Sequence, residues 1–428
     1  MNDTPLKFST TPILNSCEIK SEMTSVMRNE IGHIYHDVSD FIPTFFYSLN
    51  SLKNLETFAA TVEELLPADK GFPLSWEETE VVPWFHNIID KMVKIALEQL
   101  RNEKDLISRL ECRQIISQPN NSLKGSKAVR TLDIGIAEIH DPCNTRTVHG
   151  INNMPICHWR EVLVPGELKS NLEKDKASGT WYDLAHRVRE VFCLQSAQRF
   201  CHGFTLCGST MRVFKFDRAA VYTSPSFDIR LHFHRFIVVM LGYLLMSKEE
   251  LGLDTTICQD PDGQQYISVV LGEKVERFNI EDMIFRQQCI IGRGTTCWKA
   301  IYNNQTYVIK DSWQYEEKLV EGVLLTKVKE ENIPNVAWCY HHEIVHVGQQ
   351  EDDIFTNVRK GIDLSTGQKR QILVKKRKRD SGVDTNDNET LSNKKHQRLI
   401  SPEFGKPLYE ANQLVGVLQG LIGGISGT

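Results

Sequence analysis

The chain has 428 residues, 50 Lys+Arg against 55 Asp+Glu, a formal charge of −5 at pH 7 and 41% hydrophobic residues. That length suggests about three domains, or two with linkers, and the charge balance excludes a chain-wide basic coat for nucleic acid while leaving local patches open. No apolar run approaches the ~18 residues needed to cross a bilayer, and eleven cysteines without a C-x-x-C pair exclude a disulfide framework and the common zinc modules. The N-terminus, MNDTPLKFSTTPILNSCEIK, has no basic segment followed by an apolar stretch and does not read as a signal peptide. A reduced, intracellular protein, nuclear or cytoplasmic and with no membrane partner, is expected.

Residues 1–120 read as a polar, disordered tail of ~25 residues followed by a helical region. From His86 to Leu110, apolar Ile88, Ile89, Met92, Val93, Ala96, Leu97 and Leu100 recur at helical spacing, and residues 117–127 read as a loop. A second, α+β domain is expected over 121–285. There Val129–Ile139 and Trp159–Leu168 read as strands and Thr180–Ser196 as a helix. Phe204–Cys207 and Met211–Phe216 form a hairpin closed by Gly208-Ser209, Phe236–Met246 is an apolar helix, and Tyr266–Leu271 with Val275–Ile280 is a further hairpin. The third segment, 286–428, carries a basic and polar insertion over 365–403 that reads as disordered. Its run Lys375-Lys376-Arg377-Lys378-Arg379 has the composition of a nuclear-import or nucleic-acid patch, the plain alternative being a solvated charge cluster. Leu414–Thr428 begins with helical spacing and runs out in glycines that disfavour a stable helix. The fold class expected for the whole chain is α+β.

The most informative stretch is Ile290–Trp313. Gly292-Arg293-Gly294 stands between two strand-like runs, where a Cβ would keep backbone N–H groups away from phosphate oxygens. The second run, Tyr307-Val308-Ile309-Lys310, ends in a lysine that can reach the same phosphates. Glu317 or Glu321 on a following helix can hold that lysine in place. Trp298 and Trp313, which flank the loop and the lysine strand, read as packing residues. Cys339, His341, His342 and His346 cluster in sequence, but a strand there sends His341 and His342 to opposite faces, which disfavours a metal site.

The segments Gly292-Arg293-Gly294-Thr295-Thr296-Cys297-Trp298-Lys299-Ala300, Val308-Ile309-Lys310-Asp311-Ser312-Trp313 and Glu321-Gly322 with Leu324-Leu325 resemble the fungal-type protein kinase family. So do His341-His342-Glu343, Asp352-Asp353-Ile354 and Val358-Arg359-Lys360-Gly361, while WREVLVPGELKS (159–170) and FTLCGSTMRVFKFDR (204–218) resemble its N-terminal extension. The resemblance covers most of the chain from about Leu132 onward. It implies that Gly292 and Gly294 belong to a nucleotide-covering loop, that Lys310 pairs with the phosphates of ATP, and that Glu321 is the helix partner of Lys310. Two departures stand out. The third loop glycine is replaced by Cys297, and Glu321 follows Lys310 closely for a kinase.

Phosphoryl transfer also needs a catalytic-loop Asp and an Asp and Asn for magnesium. After Gly361 there is no His-Arg-Asp, Gln-Arg-Asp or Asp-Phe-Gly, and the sequence stops after Gly405-Lys406-Pro407-Leu408-Tyr409 and Leu414–Ile422. The expectation is a small kinase lobe truncated before the catalytic loop and inactive as a kinase.

The middle segment offers a second candidate. Asp133 on one strand and Glu167-Leu168-Lys169 ending the next resemble the restriction-endonuclease-like fold. In that reading Asp133 and Glu167 hold Mg²⁺ and Lys169 orients water, residues 167 and 169 sharing one strand face. Glu-x-Lys recurs at Glu18 and Glu316, so the tripeptide alone means little. The alternatives to an inactive, nucleotide-binding kinase relative are therefore a metal-dependent nuclease acting on nucleic acid and an interaction protein, with protein partners, whose modules are both inert.

Overall fold

The computed structural model describes residues 20–126, 130–139, 156–334, 336–371, 392–402 and 418. Along the chain these form α1 (Lys20–Ile31), β1 (His33–His36), α2 (Leu55–Leu65), α3 (Glu78–Gln99), α4 (Lys104–Cys112), β2 (Arg113–Gln118), β3 (Leu132–Glu138) and β4 (Val162–Lys169). Next come α5 (Ser178–Leu194), β5 (Cys201–Cys207), β6 (Thr210–Phe216), β7 (Val221–Thr223), β8 (Phe227–Asp228) and α6 (Phe233–Leu245). Then follow β9 (Ile257–Gln259), β10 (Gln265–Leu271), β11 (Lys274–Arg286), β12 (Thr296–Tyr302), β13 (Gln305–Tyr315) and α7 (Glu321–Glu330). The remainder is β14 (His341–Ile344), β15 (His346–Val347), β16 (Gln350–Glu351), β17 (Gln368–Gln371) and β18 (Lys394–Ser401). The fold is α+β. The described residues divide into one compact unit within 20–253, 288–291 and 360–371, and a second within 254–287, 292–359 and 392–402.

The first unit is built on a sheet ordered β17-β1-β7-β6-β5-β4-β3-β2, with β8 against β6. β2, β3 and β4 pair antiparallel, whereas β4 and β5 run parallel. Parallel neighbours need a crossover, and α5 supplies it. On one face α1 and α5 bury Met27, Trp159, Trp181, Val188, Phe214 and Phe216. On the other, Phe85 of α3 stacks on Phe204 of β5 at 6.0 Å and 7°, and Tyr243 of α6 meets His202 at 5.5 Å. Phe236 to Leu245 are all buried, which explains why α6 is apolar around its whole circumference. The hairpin at Gly208-Ser209 is present, with Gly208 at φ +55° and Cys207 paired to Thr210.

Several expectations change in this unit. The helix read over His86–Leu110 is two helices, α3 and α4, broken at 100–103. The strand β2 follows α4 without a linker, and its last two residues fall in the segment read as a loop (117–127). Trp159–Glu161 is a short 3-10 turn that precedes β4. In the N-terminal stretch read as disordered, residues 1–19 lie outside the described residues, and α1 starts at Lys20 with Met27 fully buried.

The second unit is a sheet ordered β14-β18-β13-β12-β11-β10-β9, antiparallel throughout. Its core is Ile267, Val269, Phe278, Trp298, Ala300, Tyr307, Ile309 and Ile400. The strand β18 is the main departure from expectation. It lies within the insertion (365–403) read as disordered, yet it pairs with β13 on one side and β14 on the other. β17 and all but the first residue of the 3-10 turn Leu364–Thr366 also fall inside that range. The basic run Lys375–Arg379 and the segment 405–409 lie outside the described residues, as does 414–428 except for residue 418.

β18 is ordered because its basic residues find acids. Alternate positions His396, Arg398 and Ile400 share one face. Arg398 is 0% exposed and grips Asp311 through Nε at 2.9 Å and Nη2 at 2.7 Å, reaching Asp254 at 3.1 Å and Thr256 at 2.9 Å. Burial works against the guanidinium charge, but Asp311 and Asp254 outweigh it and hold the Arg398 pKa above its usual value. His396 Nδ1 lies 3.0 Å from the Asp352 carboxylate, which accepts, and the ring stacks flat on Trp313 at 4.9 Å. Removing one member of such a network leaves a buried, uncompensated charge. Urea unfolding of Arg398→Leu should therefore show a loss of about 3–5 kcal/mol. A loss below about 1 kcal/mol, the range of an exposed ion pair, would show that the network does not hold the sheet.

Candidate functional site

In the second unit β12 and β13 are joined through Asn303 and Asn304, at φ +48° and +60°, the left-handed pair a two-residue hairpin requires. The hairpin sets Cys297 opposite Lys310 and Thr296 opposite Asp311. Residues alternate along β13, so Asp311 faces Arg398 and Lys310 faces the other way. On that side Lys310, Ser312, Gln314, His342, Gln397 and Leu399 line a cleft of only about 10 Å³, closed over by the start of α7.

The approach of α7 depends on Gly322. A Cβ there would lie 2.2 Å from Cγ of His342, far inside contact distance. With no side chain at 322, the helix settles onto His342 and its first residue, Glu321, reaches Lys310. The Lys310 ammonium donates to both carboxylate oxygens, at 2.8 and 2.6 Å. Glu317, the other candidate partner, precedes the helix. The loop between β11 and β12 brings the glycines in. Arg293 Nη2 lies 3.9 Å from Glu321, and Lys394 Nζ is 3.4 Å from the Gly292 carbonyl. Gly292 and Gly294 take φ of +140° and +54°, backbone conformations that side-chain-bearing residues rarely adopt. Lys310 and Glu321 are thus paired, and the Arg293 side chain, between Gly292 and Gly294, reaches towards the same carboxylate. Trp298 and Trp313 are buried packing residues. Lys394, which the sequence reading left in a disordered insertion, reaches the Gly292 carbonyl from the face of β18 that carries His396 and Arg398.

The first unit assembles its own charged cluster. Asp133 on β3 accepts the Leu168 N–H at 3.2 Å, and on β4 Lys169 Nζ contacts Glu167 at 2.6 Å and Asp183 at 3.3 Å. Asp133, Glu167 and Lys169 are therefore neighbours. A residue absent from the sequence reading joins them. Arg187, on the inner face of α5, donates one Nη to Asp133 at 2.5 Å and the other to Glu167. No sequence motif marks it, because its partners lie 54 and 20 residues away. Glu167 is 1% exposed, and burial pushes its pKa up to about 7, with Arg187 and Lys169 pulling the other way and Asp133 adding to the rise. Glu78 at the start of α3 is raised by burial and by Asp133, and its Oε1 is buried without a hydrogen-bond partner.

Two carboxylates beside a lysine can hold a divalent cation and orient water. Here the guanidinium already donates to both carboxylates. Gly166, next to this cluster, has a packing role. A Cβ on it would meet Cζ of Phe204 at 2.5 Å. Among the described residues, the group of metal-type donors lying close together is Asp254, Asp311 and His396, and Arg398 is bonded to both of its carboxylates. His341 instead pairs with Glu343 at 3.3 Å, and His342 lies under Gly322. No helix among the described residues is long and apolar enough to cross a membrane.

A family model described as fungal protein kinase matches residues 144–428. No curated protein and no solved structure matches the chain.

Two outcomes test the charged cluster. Arg187→Gln removes the guanidinium shared by Asp133 and Glu167 and leaves Lys169 as the cation bonded to Glu167, so the variant should lose about 3–5 kcal/mol and recover part of it when Mn²⁺ is added. Wild-type melting should not respond to Mn²⁺; a wild-type response as large as the variant's would show that Arg187 does not stand in for a cation. Glu167 binds its proton more tightly folded than unfolded, so its contribution is full below about pH 4.5 and is lost as pH rises towards about 7. Wild-type stability should therefore fall by about 1–3 kcal/mol relative to Glu167→Gln across that window, and parallel pH profiles would contradict the assignment.

Proposed function

The chain belongs to the fungal protein kinase family, and from that premise we propose that its second unit holds the phosphates of ATP without transferring them. One observation carries the reading: Lys310 is held by both oxygens of Glu321, at 2.8 and 2.6 Å, beside the loop that contains Gly292 and Gly294. In protein kinases a lysine so placed pairs with nucleotide phosphates, and the helix glutamate keeps it in position. The donor set fits the group. Backbone N–H groups around two glycines accept close approach of phosphate oxygens, and Lys310 supplies a compact positive charge. Bound ATP would supply the transferable phosphoryl group. The chain's residues bind and orient it.

The second half of the proposal concerns transfer. The 428 residues contain no His-Arg-Asp and no Asp-Phe-Gly. Asp311, the acid adjacent to Lys310, points to the opposite face and is bonded to Arg398. A nucleotide held this way lacks a base for the acceptor hydroxyl and carboxylates for magnesium.

The metal-dependent nuclease reading has support in the first unit, where the order α4-β2-β3-β4-α5-β5 and the Asp133, Glu167 and Lys169 cluster resemble that chemistry. Arg187 weighs against it, because the carboxylates that would hold the metal are hydrogen-bonded to a guanidinium. The nucleotide reading is preferred for that reason.

Millimolar ATP should raise the melting temperature of the chain by a few degrees, about what binding at ten- to a hundredfold Kd provides, and Lys310→Ala should abolish the rise. Labelled γ-phosphate should reach no protein substrate above the Lys310→Ala control. An equal rise in both proteins refutes the assigned site, and transfer above the control refutes the absence of phosphotransfer.

A further inference from the structure

Apart from both constellations, a cleft of about 520 Å³ opens in the first unit, among α2, the loop after it and the first turn of α6. Its volume falls in the range of small-molecule sites. The wall carries Lys70, Arg230, His232, His234 and Arg235 against one acid, Glu63.

The balance of partners leaves positive charge in the cleft. Arg230 is paired with Asp228 at 3.0 Å, and Glu63 with His234 at 3.1 Å. Lys70 and Arg235 have no carboxylate partner among the described residues. They lie over the rings of Phe233 and Phe227, at 5.2 and 5.4 Å, which holds the cations without neutralising them. The same wall contains the start of α6. That helix has no side-chain cap and no acid in its first turn, so its first N–H groups and the positive end of its dipole add to the cationic wall. Phe72 and Phe233 meet edge to face at 5.7 Å and give the cleft an apolar side.

We propose that this cleft binds a small phosphorylated ligand, its phosphate held by Lys70, Arg235 and the first turn of α6, and its carbon body against Phe72 and Phe233. A phosphate monoester matches two unneutralised cations better than a single carboxylate does, and a guanidinium can engage it through two parallel hydrogen bonds. A concave site of this size encloses a small molecule more completely than it does a polymer backbone.

The inference is independent of the nucleotide reading, and the test is arranged to keep them apart. The full chain carrying Lys310→Ala is titrated with inorganic pyrophosphate in an isothermal calorimeter at fixed ionic strength. Saturable binding is expected. Adding Lys70→Gln and Arg235→Gln should weaken it about tenfold or more, roughly the loss of one charge-assisted hydrogen bond. Glu63→Gln, which removes the acid from the wall, should strengthen it. Circular dichroism of each variant establishes that it is folded. Absence of binding, or binding unchanged by the double substitution and by Glu63→Gln, overturns the proposal. So does a short single-stranded oligonucleotide that binds more tightly than pyrophosphate through the same two residues, since the cleft would then be a nucleic-acid contact.

Discussion

An arginine buried in a sheet cannot be left unpaired, and in the second unit that constraint decides the rest. Arg398 has no exposed surface, so its charge must be met inside the protein. Asp311 meets it from β13 and Asp254 from the beginning of the unit. Once Asp311 is committed to that face, the pleat turns Lys310 to the other. There Gly322 admits α7 against His342, and Glu321 fixes the lysine. Residues that never touch a ligand thus determine where the lysine points. Replacing such a network with apolar residues can be neutral or stabilising in other proteins. Its value here lies in orientation: two adjacent residues on one strand are directed to two different tasks.

The first unit solves a similar problem with Arg187. Two strands and a crossover helix converge on Asp133, Glu167, Lys169 and Asp183, and the guanidinium spans two of the four carboxyl and ammonium groups. The strand order and residue types invite comparison with metal-dependent nucleases, but likeness of arrangement is not likeness of activity. Here Arg187, on the inner face of α5, is bonded to both Asp133 and Glu167. The adjacent Gly166 makes room for the ring of Phe204.

Periodicity in the sequence located α5, α6, the hairpin of β5 and β6, and the hairpin of β10 and β11 to within a few residues. These are regular segments with strong alternation or a helical stripe, and their turns carry glycine. The misses have a common cause. β18 reads as KKHQRLIS, a charged stretch, because the acids that make it a strand sit at positions 254, 311 and 352. The helix pattern over 88–110 ran through a break at 100–103, because Leu106 and Leu110 continue the apolar spacing past it. β2 has two adjacent buried isoleucines, Ile115 and Ile116, which is not an alternating pattern. Order and spacing single out Gly292, Gly294 and Lys310 in the sequence. The packing of Gly322 on His342, Lys394 beside Gly292, and Arg187 between the carboxylates depend on contacts across many residues, which local pattern does not carry.

The central claim is that Lys310, oriented from behind by Arg398 and held by Glu321, lies beside nucleotide phosphates. An ATP analogue bearing an acyl-phosphate acylates a lysine next to its phosphates, and peptide mass spectrometry identifies which one. The account predicts that Lys310 is the lysine modified and that excess ATP suppresses the modification. An unmodified Lys310, or modification there that excess ATP leaves unchanged, would contradict it.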